Sequence, residues 1–174
     1  MFKRRKRLAY NVFGVVDVAL VRELITRIEA IPTTEEVEIC LRINSQGGSV
    51  PVALAFAGYL KSLPHHLVTI NMAQCDSAAM IIYSAAQERI VFESASFMFH
   101  PPFVHLNGKF AVKELSAELK RLKKDTRNMI GFLSRMLSID RSRLTEWMEC
   151  GERVFSARRA LRVGIATSIE NMKD

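Results

Sequence analysis

The sequence predicts an α/β fold built on a mostly parallel sheet. Short strand-like runs recur along the chain, and segments of helical periodicity separate them. Strands that alternate with helices in this way imply βαβ units. The chain has 174 residues, 49% hydrophobic and 25% charged, which suits one domain with a real core. That composition excludes a disordered tail or a collagen-like fibre. Eight glycines and five prolines are too few for low-complexity linkers.

Each element follows from local pattern. Residues 8–13 read as a short strand. Val18 to Ile31 is an amphipathic helix, with Leu20, Leu24, Ile25 and Ile28 at helical spacing. Pro32 to Glu36 is a turn, and Glu36 to Ile43 alternates like a strand with Val37, Ile39 and Leu41 on one face. Residues 44–49 (NSQGGS) form a polar glycine turn. Pro51 sits where a first helical turn tolerates proline, the helix continues through VALAFAGYLKSL, and Pro64 ends it. Leu67 to Met72 is a buried strand, AQCD a turn, and Ser77 to Ala86 an apolar helix. Arg89 to Phe92 and Ser96 to Phe99 are short strands. Val112 to Leu137 is a long helix, Arg141 to Glu149 a shorter one, and Ser156 to Arg162 a helical turn before a strand near 165–169. The long helix is charged on too many faces for a core element, so it reaches toward something else, such as another subunit.

Charge and cysteine usage bound the function. The formal charge is +7, which raises nucleic acid as a partner. The basic excess sits in residues 1–7 and at the start of the long helix, not on one continuous face. Cys40, Cys75 and Cys150 are odd in number and widely spaced. They indicate reduced thiols in a cytoplasmic protein, neither a metal knuckle nor a disulfide framework. The MFKRRKR start is followed by a run broken at Asn11, Gly14 and Asp17, which argues against a secretory signal. No run of 18 apolar residues predicts a membrane span.

Three features are candidates for chemistry, although each taken alone reads first as structure: a plain turn, a helix N-cap and a structural histidine. The Gly47-Gly48 turn follows a buried strand, where α/β proteins place ligands at the sheet's carboxyl edge. Ser77 stands on a strand-to-helix turn, where free helix N–H groups favour a developing oxyanion. On local sequence alone, Asp76 or Ser77 reads first as a helix N-cap. His100 ends a short strand, whereas His65 and His66 look solvated and His105 follows the double proline. Cys75 beside Ser77 points into the sheet.

Taken in order, INSQGGSV, MAQCDSAAMIIYSAA and SFMFHPP resemble the motifs of the Clp protease proteolytic subunit (ClpP) family, from about Tyr10 to Ile169. The resemblance implies a ClpP/crotonase-like fold of repeated ββα/βαβ units. Residues 1–8 would be a basic tail and 9–174 one domain, with a protruding handle strand and helix at about 103–137. It implies Ser77 as nucleophile, His100 as general base, and the N–H groups of Gly48 and Ala78 as oxyanion donors. The segment CGERVFSA places Glu152 where the family has its triad Asp, with Asp140 and Glu149 as fallback acids. Gly47, Gly48, Pro102 and Phe103 would contact substrate.

The implied function is hydrolysis of unfolded proteins or short peptides inside a homo-oligomeric single or double ring, with an ATPase unfoldase as a further partner. No metal or organic cofactor is expected. Several positions depart from the family: Gln46 for its proline, Cys75-Asp76 for its small pair, and no recognisable axial hairpin at the N-terminus. A carboxylate at Asp76 would influence the histidine. The alternatives are an inactive ring subunit and a basic nucleic-acid binder.

Overall fold

The computed structural model describes residues 5–32, 37–149 and 151–171. Residues 33–36 of the predicted Pro32–Glu36 turn, the first residues of the basic tail and Cys150 lie outside them. The chain opens with β1 (Lys6–Val16), α1 (Val18–Glu29), β2 (Val37–Gly48) and α2 (Val50–Ser62). Next come β3 (His66–Asp76), α3 (Ala79–Ser84), β4 (Glu88–Phe92) and β5 (Ser96–Phe99). The chain then runs through α4 (Val112–Leu137), α5 (Arg141–Glu149), β6 (Arg153–Ser156), α6 (Ala157–Arg162) and β7 (Ser168–Glu170).

Among the described residues the strands form one sheet, with β1-β2-β3-β4-β7 parallel throughout. The βαβ reading is therefore correct. β3 changes neighbours along its length. Val68 to Asn71 pair with β4, while Gln74 to Asp76 pair with β5. Asn71 bridges the change, its buried Nδ2 donating to the Ser96 carbonyl at 2.8 Å. β5 in turn carries β6 antiparallel.

Several boundaries differ from expectation, each because a ladder partner decides them. β1 begins at Lys6, so Lys6 and Arg7 belong to a strand and not to the tail. They lie opposite Val37 and Glu38, and the Arg7 guanidinium pairs with the Glu38 carboxylate. β3 runs four residues past Met72, because Gln74 to Asp76 find β5. β6 has too few residues to signal itself and exists through β5. Residues 100–111 form no strand among the described residues, because no ladder partner meets them. The α4 and α5 spans match their predicted limits.

Two helix starts are fixed locally. The Asp17 side chain accepts from Leu20 N–H at 2.8 Å. Ser49 caps α2 ahead of Pro51. α3 is wholly buried at the centre of the core. An aromatic cluster fastens the β5–β6 pair to α5. Phe99 meets Trp147 and Phe155 edge-on at 5.2 Å, and Trp147 lies 4.6 Å from Phe155. All three rings are buried.

Phe155→Ala should therefore cost about 3–5 kcal/mol of stability. Denaturant unfolding followed by the fluorescence of Trp147, the single tryptophan, measures it. A loss below about 1 kcal/mol would show that the cluster is not what holds β6.

Candidate active site

The site begins where three strands shift register at one level. β1 slips between Phe13 and Val15, and β2 slips against β3 between Ile43 and Ser45. Ser45 ties the level together. Its hydroxyl donates to the Gly14 carbonyl at 2.6 Å and accepts from Gly47 N–H at 3.1 Å. Beyond it, backbones approach too closely for side chains. A Cβ on Gly48 would stand 2.4 Å from the Val16 carbonyl oxygen. One on Gly47 would stand 2.7 Å from the Asp76 carbonyl oxygen, 2.8 Å from Ser77 Cβ and 3.0 Å from the Ala78 nitrogen. The glycine pair is thus required by contact, and it leaves open the space beside Ser77 and the Ala78 N–H.

Ser77 follows the last residue of β3. Its N–H donates to the Met98 carbonyl at 3.0 Å, extending the β3–β5 ladder by one bond. Its φ is +51°, a left-handed conformation that a non-glycine residue seldom adopts. Such strain persists where the surroundings over-determine it, and functional sites are where it collects. The N-cap alternative fails: α3 has no side-chain cap, and neither Asp76 nor Ser77 supplies one. Cys75 is fully buried, and burial together with the neighbouring Asp76 pushes its thiol well above the usual range. It is no nucleophile at ordinary pH.

Ser77 and His100 line one pocket of about 530 Å³ with Gly47, Gly48, Pro102 and Phe103. The structure thus brings together six of the sequence-predicted residues, while Ala78 lies buried behind Ser77. The His100 ring is half-buried and 5.5 Å from the Phe103 ring. Its Nδ1 lies 2.9 Å from the Pro101 carbonyl. A carbonyl only accepts, so this bond places the proton on Nδ1 and leaves Nε2 a bare acceptor. No hydrogen bond joins His100 to Ser77 or to Glu152 among the described residues. Glu152 is exposed and does not line the pocket. The β5–β6 ladder ends at Phe99 opposite Arg153, and continuing its register by one step would set His100 opposite Glu152.

The same pocket is lined by Val15, His105 and three residues of α4, namely Arg121, Leu122 and Asp125. Sequence reasoning missed these α4 residues, although Asp125 leaves a signal. It stands four residues before Met129 and eight before Leu133, in a stripe of buried positions that is otherwise apolar.

Asp76 is 2% exposed. Its Oδ2 accepts from Gln74, and its Oδ1 is buried without a partner. Burial pushes its carboxyl above the usual range and the Glu152 charge adds to that, while Gln74, the Met98 backbone and His100 pull it down. One other cluster, Glu38, His66 and Glu88, has metal-ligand atoms within 4.8 Å of one another. It lies at the far end of β3 from Ser77, and Arg7 already pairs with Glu38. Among the described residues no helix is long and apolar enough to cross a membrane.

The Clp protease family model matches residues 11–173. ATP-dependent Clp protease proteolytic subunit 4 of Rhodococcus jostii is 28% identical over 159 residues, 90% of this chain and 78% of that one. Subunit 3 of the same organism is 26% identical over 67% of this chain and 60% of its own length. Subunit 1 of Streptomyces avermitilis is 34% identical over 47% of this chain, which spans 38% of that protein. Among solved structures, a ClpP1 mutant from Listeria monocytogenes superposes with a TM-score of 0.83, covering 95% of this chain and 92% of its own at 18% identity. At that identity the match shows the fold.

The raised Asp76 carboxyl has a consequence for stability. It binds its proton more tightly in the folded chain than in the unfolded one. Its contribution to stability is therefore present below the ordinary carboxylate range, and it is lost as pH rises through the raised folded value. Asp76→Asn should raise the melting temperature near neutral pH, with the gain shrinking in acid. Thermal unfolding at both pH values checks it, and an equal or lower melting temperature at neutral pH would refute it.

Proposed function

The chain belongs to the Clp protease family, and we propose that it is a serine endopeptidase acting through Ser77 and His100. The observation that carries this reading is one pocket holding both residues, with Ser77 in a strained left-handed conformation at its wall. In the proposed reaction Nε2 of His100 takes the Ser77 proton as Oγ attacks the scissile carbonyl. The N–H groups of Gly48 and Ala78 receive the oxyanion. His100 then protonates the leaving amine, and water repeats the sequence to free the acyl group. Each proton is returned, so side chains and backbone suffice for the chemistry.

Glu152 is the proposed acid, on the strength of its register position opposite His100. For it to act, Nδ1 of His100 must exchange the Pro101 carbonyl for the Glu152 carboxylate. That exchange also defines the second reading, an inactive subunit in which the Pro101 bond is permanent. The pocket mouth suits an extended peptide, running past Gly48 on one side and Phe103 on the other. Assembly is proposed from α4. Its outer half exposes Val112, Leu115 and Leu119 at helical spacing, Val112 at 81%. A ring of copies would cover that stripe, with unfolded protein fed by an ATPase partner in the cytoplasm.

A fluorophosphonate probe should label the wild type, and Ser77→Ala should abolish the labelling. Labelling that survives would remove Ser77 as nucleophile, and an unlabelled, folded wild type would favour the inactive subunit. Glu152→Gln should lower peptide turnover by roughly a hundredfold or more, with the melting curve retained. Turnover equal to wild type would assign the acid elsewhere.

A further inference from the structure

The α4 helix divides at Asp125. From Asp125 onward every fourth residue is buried: Met129, Leu133 and Leu137 follow it. Before it, residues 111–124 are exposed or only partly covered. Asp125 is therefore the last position of the core stripe, at the wall of the pocket that holds Ser77 and His100. A leucine there would continue the stripe. A carboxylate costs desolvation unless something pairs with it.

Within the chain its pairing is thin. Asp125 is 6% exposed, and its recorded partner is Arg121 Nη1 at 3.5 Å, the outer limit of a hydrogen bond. Arg121 is held more closely by Glu118, at 2.9 Å through Nε and 2.7 Å through Nη2. A carboxylate offers about four acceptor positions, so most of Asp125's capacity is unspent. Pro102, Phe103 and Leu122 line the same pocket and give it apolar wall. Such walls take a methylene stem and leave the charged end to the carboxylate.

We propose that this pocket selects lysine or arginine in the residue whose carbonyl Ser77 attacks, with Asp125 as the specificity-determining residue. The assignment rests on the peptidase reading of the same site and names its substrate class. A cationic side chain would meet a buried, under-paired carboxylate, where attraction is screened far less than in water. An acidic side chain would meet Asp125, and Arg121 on the same wall is already paired with Glu118.

Two measurements test it. Fluorogenic peptides differing only at that position (Lys, Arg, Leu or Glu) give kcat/KM ratios for the wild type. Fluorescent versions of the same peptides give Kd values on Ser77→Ala, where no chemistry intervenes. The expected result is about a tenfold or greater preference for Lys or Arg over Leu in both. Asp125→Asn should remove that preference, and Asp125→Glu should retain part of it, which guards against a folding artefact. If the wild type neither takes the fluorophosphonate probe nor cuts any peptide, the peptidase reading fails. A Lys preference in binding to Ser77→Ala, lost in the Ser77→Ala/Asp125→Asn double variant, would then still uphold the pocket. An active enzyme that prefers Leu would overturn the pocket assignment alone. So would a preference for Glu, which would transfer the pocket to Arg121, or equal or absent binding of all four peptides.

Discussion

The contact of bare backbone at Gly47 and Gly48 is the constraint on which the rest of the site depends. Val16 approaches from one side, and the Asp76–Ala78 turn from the other, at distances that no side chain survives. Three strand ends are thereby locked at one level, with Ser45 bridging them just before the lock. Ser77 inherits its place from this contact. Its Cβ lies against Gly47, its N–H is spent on Met98, and its φ is forced positive. A strained residue needs rigid neighbours on every side. Here two are strands and one is a fully buried helix.

The second half of the site hangs on the branching of β3. Had β3 kept β4 as its neighbour to the end, the β5–β6 pair would have no ladder to the rest of the sheet, and His100 would lose its fixed place beside Ser77. Asn71 marks the switch, and Gln74, Cys75 and Asp76 continue it against Ser96, Phe97 and Met98. The cost is visible in the same stretch. Asn71 Oδ1 and Asp76 Oδ1 are both buried without partners. Buried polar groups left unpaired are expensive, so natural chains keep few of them. Two within one branch point, beside a strained serine, mark a region shaped for something other than stability.

The sequence made legible what local physics decides. The α4 and α5 spans could be read because apolar periodicity over many residues needs no partner. The mostly parallel βαβ arrangement could be anticipated from the alternation of elements, and the glycine pair, Ser77 and His100 from the family resemblance that their motifs carry in order. What could not be read depends on partners far along the chain. β6 is four residues that become a strand only beside β5, and Gln74 to Asp76 look like a turn until β5 meets them. Residues 103–110 look extended yet find no ladder among the described residues. The pocket wall is hidden for the same reason. Asp125 is 48 residues from Ser77, and only packing of α4 on the core makes them neighbours. Its trace in the sequence is a charge at a core position, intelligible once the stripe's direction is known.

That helix joins two demands in one element. Its C-terminal half is pinned by Met129, Phe132 and Leu133, so the wall at Asp125 is set by the core itself. Its N-terminal half is exposed over most of its length and carries both the exposed apolar stripe and much of the basic excess. An exposed apolar stripe of this kind gains nothing from water, which is the ground for the proposed assembly through α4. The point where the helix passes from one regime to the other is Asp125, at the wall of the Ser77 pocket. Any partner that covers the outer half therefore acts on a rigid rod whose next turn forms a wall of the candidate active site. The positive charge that first pointed to nucleic acid thus belongs in part to the helix proposed for assembly, which is continuous with the candidate site.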